Sequence, residues 1–214
     1  PVTFTNTRRR FIQYMALAGV GSRTLFQTGD ARAALFEAKE SVGLGGPWPE
    51  MTYRRLGRTG FNGSRLVFGY GAALSKQPRD ELLHTAFDHG VNVFDVGYSE
   101  YYGDAEKNLA PFLKQKRDDI FLISKAPIPA EIEFDEILDV STAKQAAKGW
   151  LKELDKSLKT LQVEHVDAYY QMAGNNVSVI ANEEVYAAFE SAKAAGKVSH
   201  LGVSTHQNAE RSEE

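Results

Sequence analysis

The stretch RLVFGYGAALSKQ, Arg65 to Gln77, decides the fold. It holds the first apolar run of strand length and the residues that follow it directly. A doubly wound dinucleotide-binding sheet places G-x-G-x-x-G straight after its first strand, where the glycines let the backbone approach a pyrophosphate at a helix N-terminus. Here Gly69-Tyr70-Gly71 runs into Ala-Ala-Leu-Ser, which does not complete that fingerprint. A strand of a (β/α) barrel is therefore the better reading.

Downstream, strand and helix patterns alternate. RDELLHTAFDHG puts Leu82, Leu83, Ala86 and Phe87 on one helical face, closed by Gly90. VNVFDVG reads as a strand, DAEKNLAPFLK as a short helix despite Pro111, and DIFLISK as a third strand. STAKQAAKGWLKELDKSLKTLQ is the clearest helix. Ser141 or Thr142 is its expected cap, and Ala147, Trp150, Leu151, Leu154, Leu158 and Leu161 form its apolar stripe. VDAYYQM is strand four, NEEVYAAFESAKAAGK a helix from an Asn182 cap to a Gly196 stop, and VSHLGVS strand five. Such alternation implies parallel strands joined by helical crossovers.

Upstream, MTYRRLGRTGFNGSRL suggests a hairpin with Gly-Arg-Thr-Gly and Asn-Gly as turn signals. The first 50 residues differ from the rest. Thr7-Arg8-Arg9-Arg10-Phe11-Ile12-Gln13 precedes a short apolar run and resembles a twin-arginine export signal, with Ala31-Arg32-Ala33 as a cleavage candidate. Residues 1–33 are thus expected to be a signal segment, 34–50 a linker, and 51–214 the barrel domain. Export to the periplasm follows from that reading; a basic amphipathic helix on a cytoplasmic protein is the alternative.

Composition narrows the function. With a formal net charge of −3, there is no bulk electrostatic case for nucleic acid or an anionic membrane. No apolar run approaches the roughly 20 residues that span a bilayer. Cysteine is absent, and the five histidines lack metal-ligand spacing, so no metal is expected.

Barrels gather chemistry at the C-terminal ends of their strands. Those ends carry Asp95, Lys125, Gln171-Met172 and Ser204-Thr205-His206, with Tyr98, Tyr101 and Tyr102 just past Asp95. An Asp–Lys pair beside a tyrosine is expected to lower the phenol's pKa and make it a proton donor to a carbonyl oxygen. The bland reading is a rim salt bridge with lid aromatics.

MTYRRLGRTGFNGSRLVFGYG, AFDHGVNVFDVGYSEYYGDAE, FLISK, VDAYY and HLGVS, in that order, resemble the aldo-keto reductase family over Met51 to His206. The resemblance implies a (β/α)8 TIM barrel that reduces a small-molecule aldehyde or ketone with NADPH, NADH being the other option. It assigns the catalytic roles to Asp95, Tyr102 and Lys125, with Glu106 four residues after the tyrosine. Gly69, Tyr70, Asp95, Ser204 and Thr205 are its implied cofactor contacts, and Met172, Tyr98 and His206 the substrate pocket. Because the loop after Asp95 is longer than is common in the family, Tyr98 and Tyr101 stay in competition with Tyr102. The family's catalytic histidine falls at Met172. Gln171 should face the opposite side by strand alternation, and His165 lies at the wrong end of its strand. A complete barrel needs roughly 250 residues, and about five strand-helix units fit between Met51 and Glu214. The expectation is a fragment of a longer protein, or an open barrel covered by the N-terminal segment together with a second copy or a partner chain. The second functional reading is a reductase-like binding or partner protein with impaired turnover.

Overall fold

The structure is a computed structural model, and it describes residues 50–69, 71–130, 132–133 and 136–205. The signal-like segment and the linker up to Pro49 lie outside the described residues, as do Tyr70 and His206.

A two-stranded antiparallel hairpin, β1 (Tyr53–Arg55) and β2 (Asn62–Ser64), comes first. Its turn is a 3-10 segment over Gly57–Thr59 closed by Gly60 at φ 76°. Asn62 and Gly63 lie in β2 and not in the turn as expected, because the Thr59 hydroxyl and the Leu56 and Phe61 backbones already close the loop.

Five strands then form one parallel sheet in sequential order: β3 (Val67–Gly69), β4 (Val93–Asp95), β5 (Phe121–Pro127), β6 (Val166–Met172) and β7 (Val198–Ser204). The order never reverses, whereas a doubly wound sheet has a switch point where it does. The connecting helices are α1 (Gly71–Leu74), α2 (Asp80–Asp88), α3 (Ser99–Tyr102), α4 (Ala105–Lys116), α5 (Val140–Leu161), α6 (Val177–Ile180) and α7 (Glu183–Ala194). They pack on one face of the sheet only. Phe94, Leu122 and Tyr169 meet Leu109, Phe112, Trp150, Leu154 and Phe189 there. The other face holds Val93, Phe121, Ile123 and Ala168, covered by Leu56 and Phe61 of the hairpin turn. This is the layout of part of a TIM barrel, with helices outside and side chains filling the interior.

Local chemistry explains the boundaries. Asp139 caps α5 by accepting from the Ser141 and Thr142 amides, so the cap lies just ahead of the two residues expected to supply it. Asn182 caps α7 as expected, and Gly196 follows at φ 74°. Along α5, Trp150, Leu154 and Leu161 are fully buried, while Leu82 of α2 is 42% exposed and leaves its predicted stripe. Pro111 sits on the solvent side of α4, where water can take the carbonyl its missing amide leaves unpaired.

The N-terminal ends of the strands are tied off. Asn92 Oδ1 accepts from the Ser64 amide at 2.7 Å, its Nδ2 donates to Asn62 O, and Tyr53 donates to Gly90 O. Arg117 meets Asp167 at 2.9 Å and donates to the His165 carbonyl, and His165 Nε2 bonds Ser199 Oγ at 2.8 Å. His165 is therefore a bracing residue far from the strand mouths.

Candidate active site

The opposite ends of the strands are organised differently. Asp95 ends β4, in register with Gly69 of β3 and Ile123 of β5. Lys125 stands two residues past Ile123 on the same face of β5 and pairs with Tyr170 of β6. Its ammonium is in a close ion pair with Asp95 Oδ1, and the residue as a whole is 7% exposed. Desolvation holds the Asp95 carboxyl above its ordinary range; the charge and hydrogen bond of Lys125 oppose that shift without cancelling it.

Tyr102 ends α3, and its ring lies in a slot between two glycines. A Cβ on Gly71 would overlap the ring, and one on Gly97 would stand 2.5 Å from its Cε2. Gly97 would also crowd the Lys125 stem, at 3.0 Å from Cγ. Lys125 Nζ lies 5.8 Å from the Tyr102 ring centroid. Burial first, and then the Asp95 charge, push the Tyr102 phenol above its ordinary value. That corrects the expected depression: the lysine charge faces the ring and is already spent on Asp95. Tyr102 thus holds its proton at neutral pH, the form a general acid needs.

The rival tyrosines separate. Tyr101 is 65% exposed and stands edge-on to the Tyr102 ring at 4.8 Å. The Tyr98 amide donates to the Lys125 carbonyl at 2.9 Å, which anchors the loop. Its phenol is pushed up by burial and by Glu100 and Glu153, with Lys156 opposing. The charges acting on Tyr98 are thus those of α3 and α5, and the structure does not bring it to the Asp95–Lys125 pair.

Met172 ends β6, in register with Pro127 and Ser204 and on the inward face by alternation with Tyr170. Gln171 faces the other way, as expected, and is 1% exposed. The end of β6 borders a cavity of about 340 Å³ lined by Pro127, Ile128, Gln171, Met172 and Asn176 among others. Across the mouth, the Thr205 hydroxyl donates to Asn175 Oδ1 at 2.6 Å, and the Gly174 amide holds the Ser204 carbonyl at 3.0 Å. At Gly69 an added Cβ would meet nothing within 4 Å, so the space beside Asp95 at the end of β3 is open.

Three features escape sequence reading. Tyr170 is in register between Lys125 and Gly202, with its ring where a side chain at Gly202 would be, and Asp95 pushes its phenol up after burial does. Stepping back two residues from Met172 would have placed it on the inward face. The glycine slot around Tyr102 had no sequence signal, since Gly71 follows a different strand and nothing in the spacing of Gly97 says that it faces the ring. Glu106 is buried behind the site, accepts from Ser124 Oγ at 2.7 Å and from Ser157, and is pushed up to about 7, chiefly by desolvation. Among the described residues, no group of three or more His, Asp or Glu side chains is placed to hold a metal ion.

Comparison with known proteins agrees with this geometry. The sequence model of the Aldo/keto reductase family matches residues 57–214. L-glyceraldehyde 3-phosphate reductase of Escherichia coli K12 is 27% identical over 167 residues, covering 73% of this chain and 46% of that protein. Uncharacterized oxidoreductase YrpG of Bacillus subtilis is 26% identical over 169 residues, covering 72% of this chain and 49% of its own length. A solved structure from Pseudomonas aeruginosa, of a protein assigned to the aldo-keto reductases, superposes with a TM-score of 0.57 at 26% identity, over 72% of this chain and 60% of that one. The chain thus spans about half the length of the curated relatives it matches.

Proposed function

The chain belongs to the aldo-keto reductase family, and we propose that it serves as an NADPH-dependent reductase of an aldehyde or ketone. The observation that carries this reading is the buried Asp95–Lys125 ion pair beneath the Tyr102 ring, at the ends of adjacent parallel strands. NADPH, when bound, supplies the hydride that the carbonyl carbon receives. Tyr102 gives its proton to the carbonyl oxygen, so the product is the alcohol and the phenolate is reprotonated from solvent. Lys125 then has two tasks. It holds Asp95 in place, and its ammonium, 5.8 Å from the ring centroid, helps to keep the Tyr102 ring over the pair. The raised Tyr102 keeps the acid loaded before the reaction. Gly69, Asp95, Ser204 and Thr205 are the residues that would hold the nicotinamide end. NADH is the alternative donor.

Met172 supports a second reading. A thioether can neither donate to a carbonyl nor change charge, so a site with Met172 at this mouth orients the carbonyl through Tyr102 alone. A reductase-like protein that binds NADPH or a carbonyl compound without turnover fits that loss. NADPH titration followed by carbonyl reduction, in wild type and Tyr102→Phe, tests the two. Turnover that Tyr102→Phe abolishes supports the reductase; NADPH binding without turnover across an aldehyde and ketone panel supports the binding protein. Export to the periplasm through Thr7–Gln13 is part of the same proposal, tested by fractionating cells that carry the native chain or Arg8→Lys/Arg9→Lys.

A further inference from the structure

Met172 offers a carbonyl no proton to hydrogen-bond, so a second donor beside Tyr102 has to come from elsewhere on the inward face. Among the described residues at the C-terminal ends of β3–β7, Tyr170 and Ser204 carry hydroxyls on that face. Ser204 is assigned above to the cofactor. Tyr170 has no part in the reaction so far.

Tyr170 is in register with Lys125 on one side and Gly202 on the other, one strand spacing of roughly 4.8 Å from each. Its ring lies over Gly202, where an added Cβ would stand 2.3 Å from two ring carbons. The Tyr102 ring sits at the opposite side, against Gly71 after β3 and Gly97 after β4. Along the sheet, the Asp95–Lys125 pair on β4 and β5 therefore stands between the two phenols. The Asp95 charge acts on both of them, pushing each up after burial does. Tyr170 thus keeps its proton at neutral pH and can serve as a donor.

The fold makes no use of that proton. The ring packs with Val93, Phe121, Ile123 and Ala168, and a phenylalanine would fill the same space. Among the described residues no hydrogen bond engages the Tyr170 hydroxyl, and it is not sealed from water as Gln171 Oε1 is. A donor without a partner, on the face that carries Asp95 and Lys125, is open to an oxygen that enters the mouth.

We propose that Tyr170 is a second hydrogen-bond donor to the oxygen of the reacting carbonyl, set across the Asp95–Lys125 pair from Tyr102. The inference rests on the reductase reading and deepens it. Proton transfer stays with Tyr102, and Tyr170 keeps its own proton throughout. Its hydrogen bond strengthens as negative charge grows on the oxygen, so the benefit falls on kcat more than on KM. A carbonyl held by two phenols needs no donor at the end of β6, which reconciles Met172 with turnover.

The test uses the full-length chain with NADPH and benzaldehyde. Tyr170→Phe keeps the ring over Gly202 and should lower kcat about 10- to 100-fold and raise KM about threefold, with the melting temperature near that of wild type. Met172→His should raise kcat by a larger factor in Tyr170→Phe than in the native chain, because one donor then stands in for the other. Benzamide, whose carbonyl accepts the same hydrogen bond but takes no hydride, gives a readout apart from turnover. Its binding to the NADPH-loaded protein, followed by calorimetry, should weaken about threefold in Tyr170→Phe. Unchanged kcat in Tyr170→Phe overturns the inference and leaves the reductase standing. So does an equal gain from Met172→His in both backgrounds, which would mean that Tyr170 acts through packing. Absent turnover with benzamide binding that depends on Tyr170 overturns the reductase and keeps the donor. A native chain that neither turns over nor binds benzamide overturns both.

Discussion

The two ends of the sheet are built to opposite rules. At the N-terminal ends, polar side chains are paired: Asn92 with the hairpin, Arg117 with Asp167 and His165, His165 with Ser199. At the C-terminal ends, Asp95, Tyr102 and Tyr170 are pushed above their ordinary pKa values by burial, and Gln171 keeps an unpaired oxygen. The first end stores stability in satisfied contacts. The second keeps groups under electrostatic tension that a ligand can relieve, which is where perturbed groups are expected at a functional site.

The sharpest way to break that contrast is at Tyr102. Tyr102→Phe should lower kcat by about 10²–10⁴-fold, the usual contribution of a general acid, while the melting temperature stays near that of wild type. The reverse experiment is at the other end. Arg117→Ala takes the guanidinium from Asp167, which keeps the Leu122 amide, and from the His165 and Ile120 carbonyls, and urea denaturation should show a loss of about 1–3 kcal/mol with kcat unchanged. Glu106 probes the layer behind the mouth. Its folded value near 7 stands above its ordinary 4.5, so the folded state keeps a proton that the unfolded chain gives up. Its contribution is full below about pH 4.5 and is lost as pH rises through about 7, on the order of 3 kcal/mol. Glu106→Gln should flatten that slope in denaturation curves taken from pH 5 to 8. The smallest effect is expected at the β6 end, where Met172→His introduces a donor and should raise reduction of small aldehydes about tenfold. A cofactor-bound protein that gains nothing there would favour the binding-protein reading.

Much of the fold was legible because parallel barrels repeat one pattern. Apolar runs of strand length, the Asn182 cap and the glycine stops at Gly90 and Gly196 recur at the right spacing, and local backbone chemistry enforces each. Asp95 and Lys125 were legible for the same reason, as polar residues at the ends of apolar strands. The cap of α5 was misplaced because Asp139, Ser141 and Thr142 are all good caps, and only the hydrogen bonds distinguish them. The pKa direction of Tyr102 was misread because sequence places Lys125 near the tyrosine without saying that its charge faces Asp95 and the ring.

By itself, the sequence determined the alternation of strands and helices, the absence of a fingerprint for an open nucleotide-binding sheet, and the strand ends that carry Asp95, Lys125 and Met172. These depend on residue spacing along one chain. Only the tertiary structure decided that Gly71 and Gly97 form the slot for Tyr102, that Tyr170 lies over Gly202, and that Gln171 keeps an oxygen free. Each of these depends on burial and on which side chains meet across the fold, which no local pattern encodes.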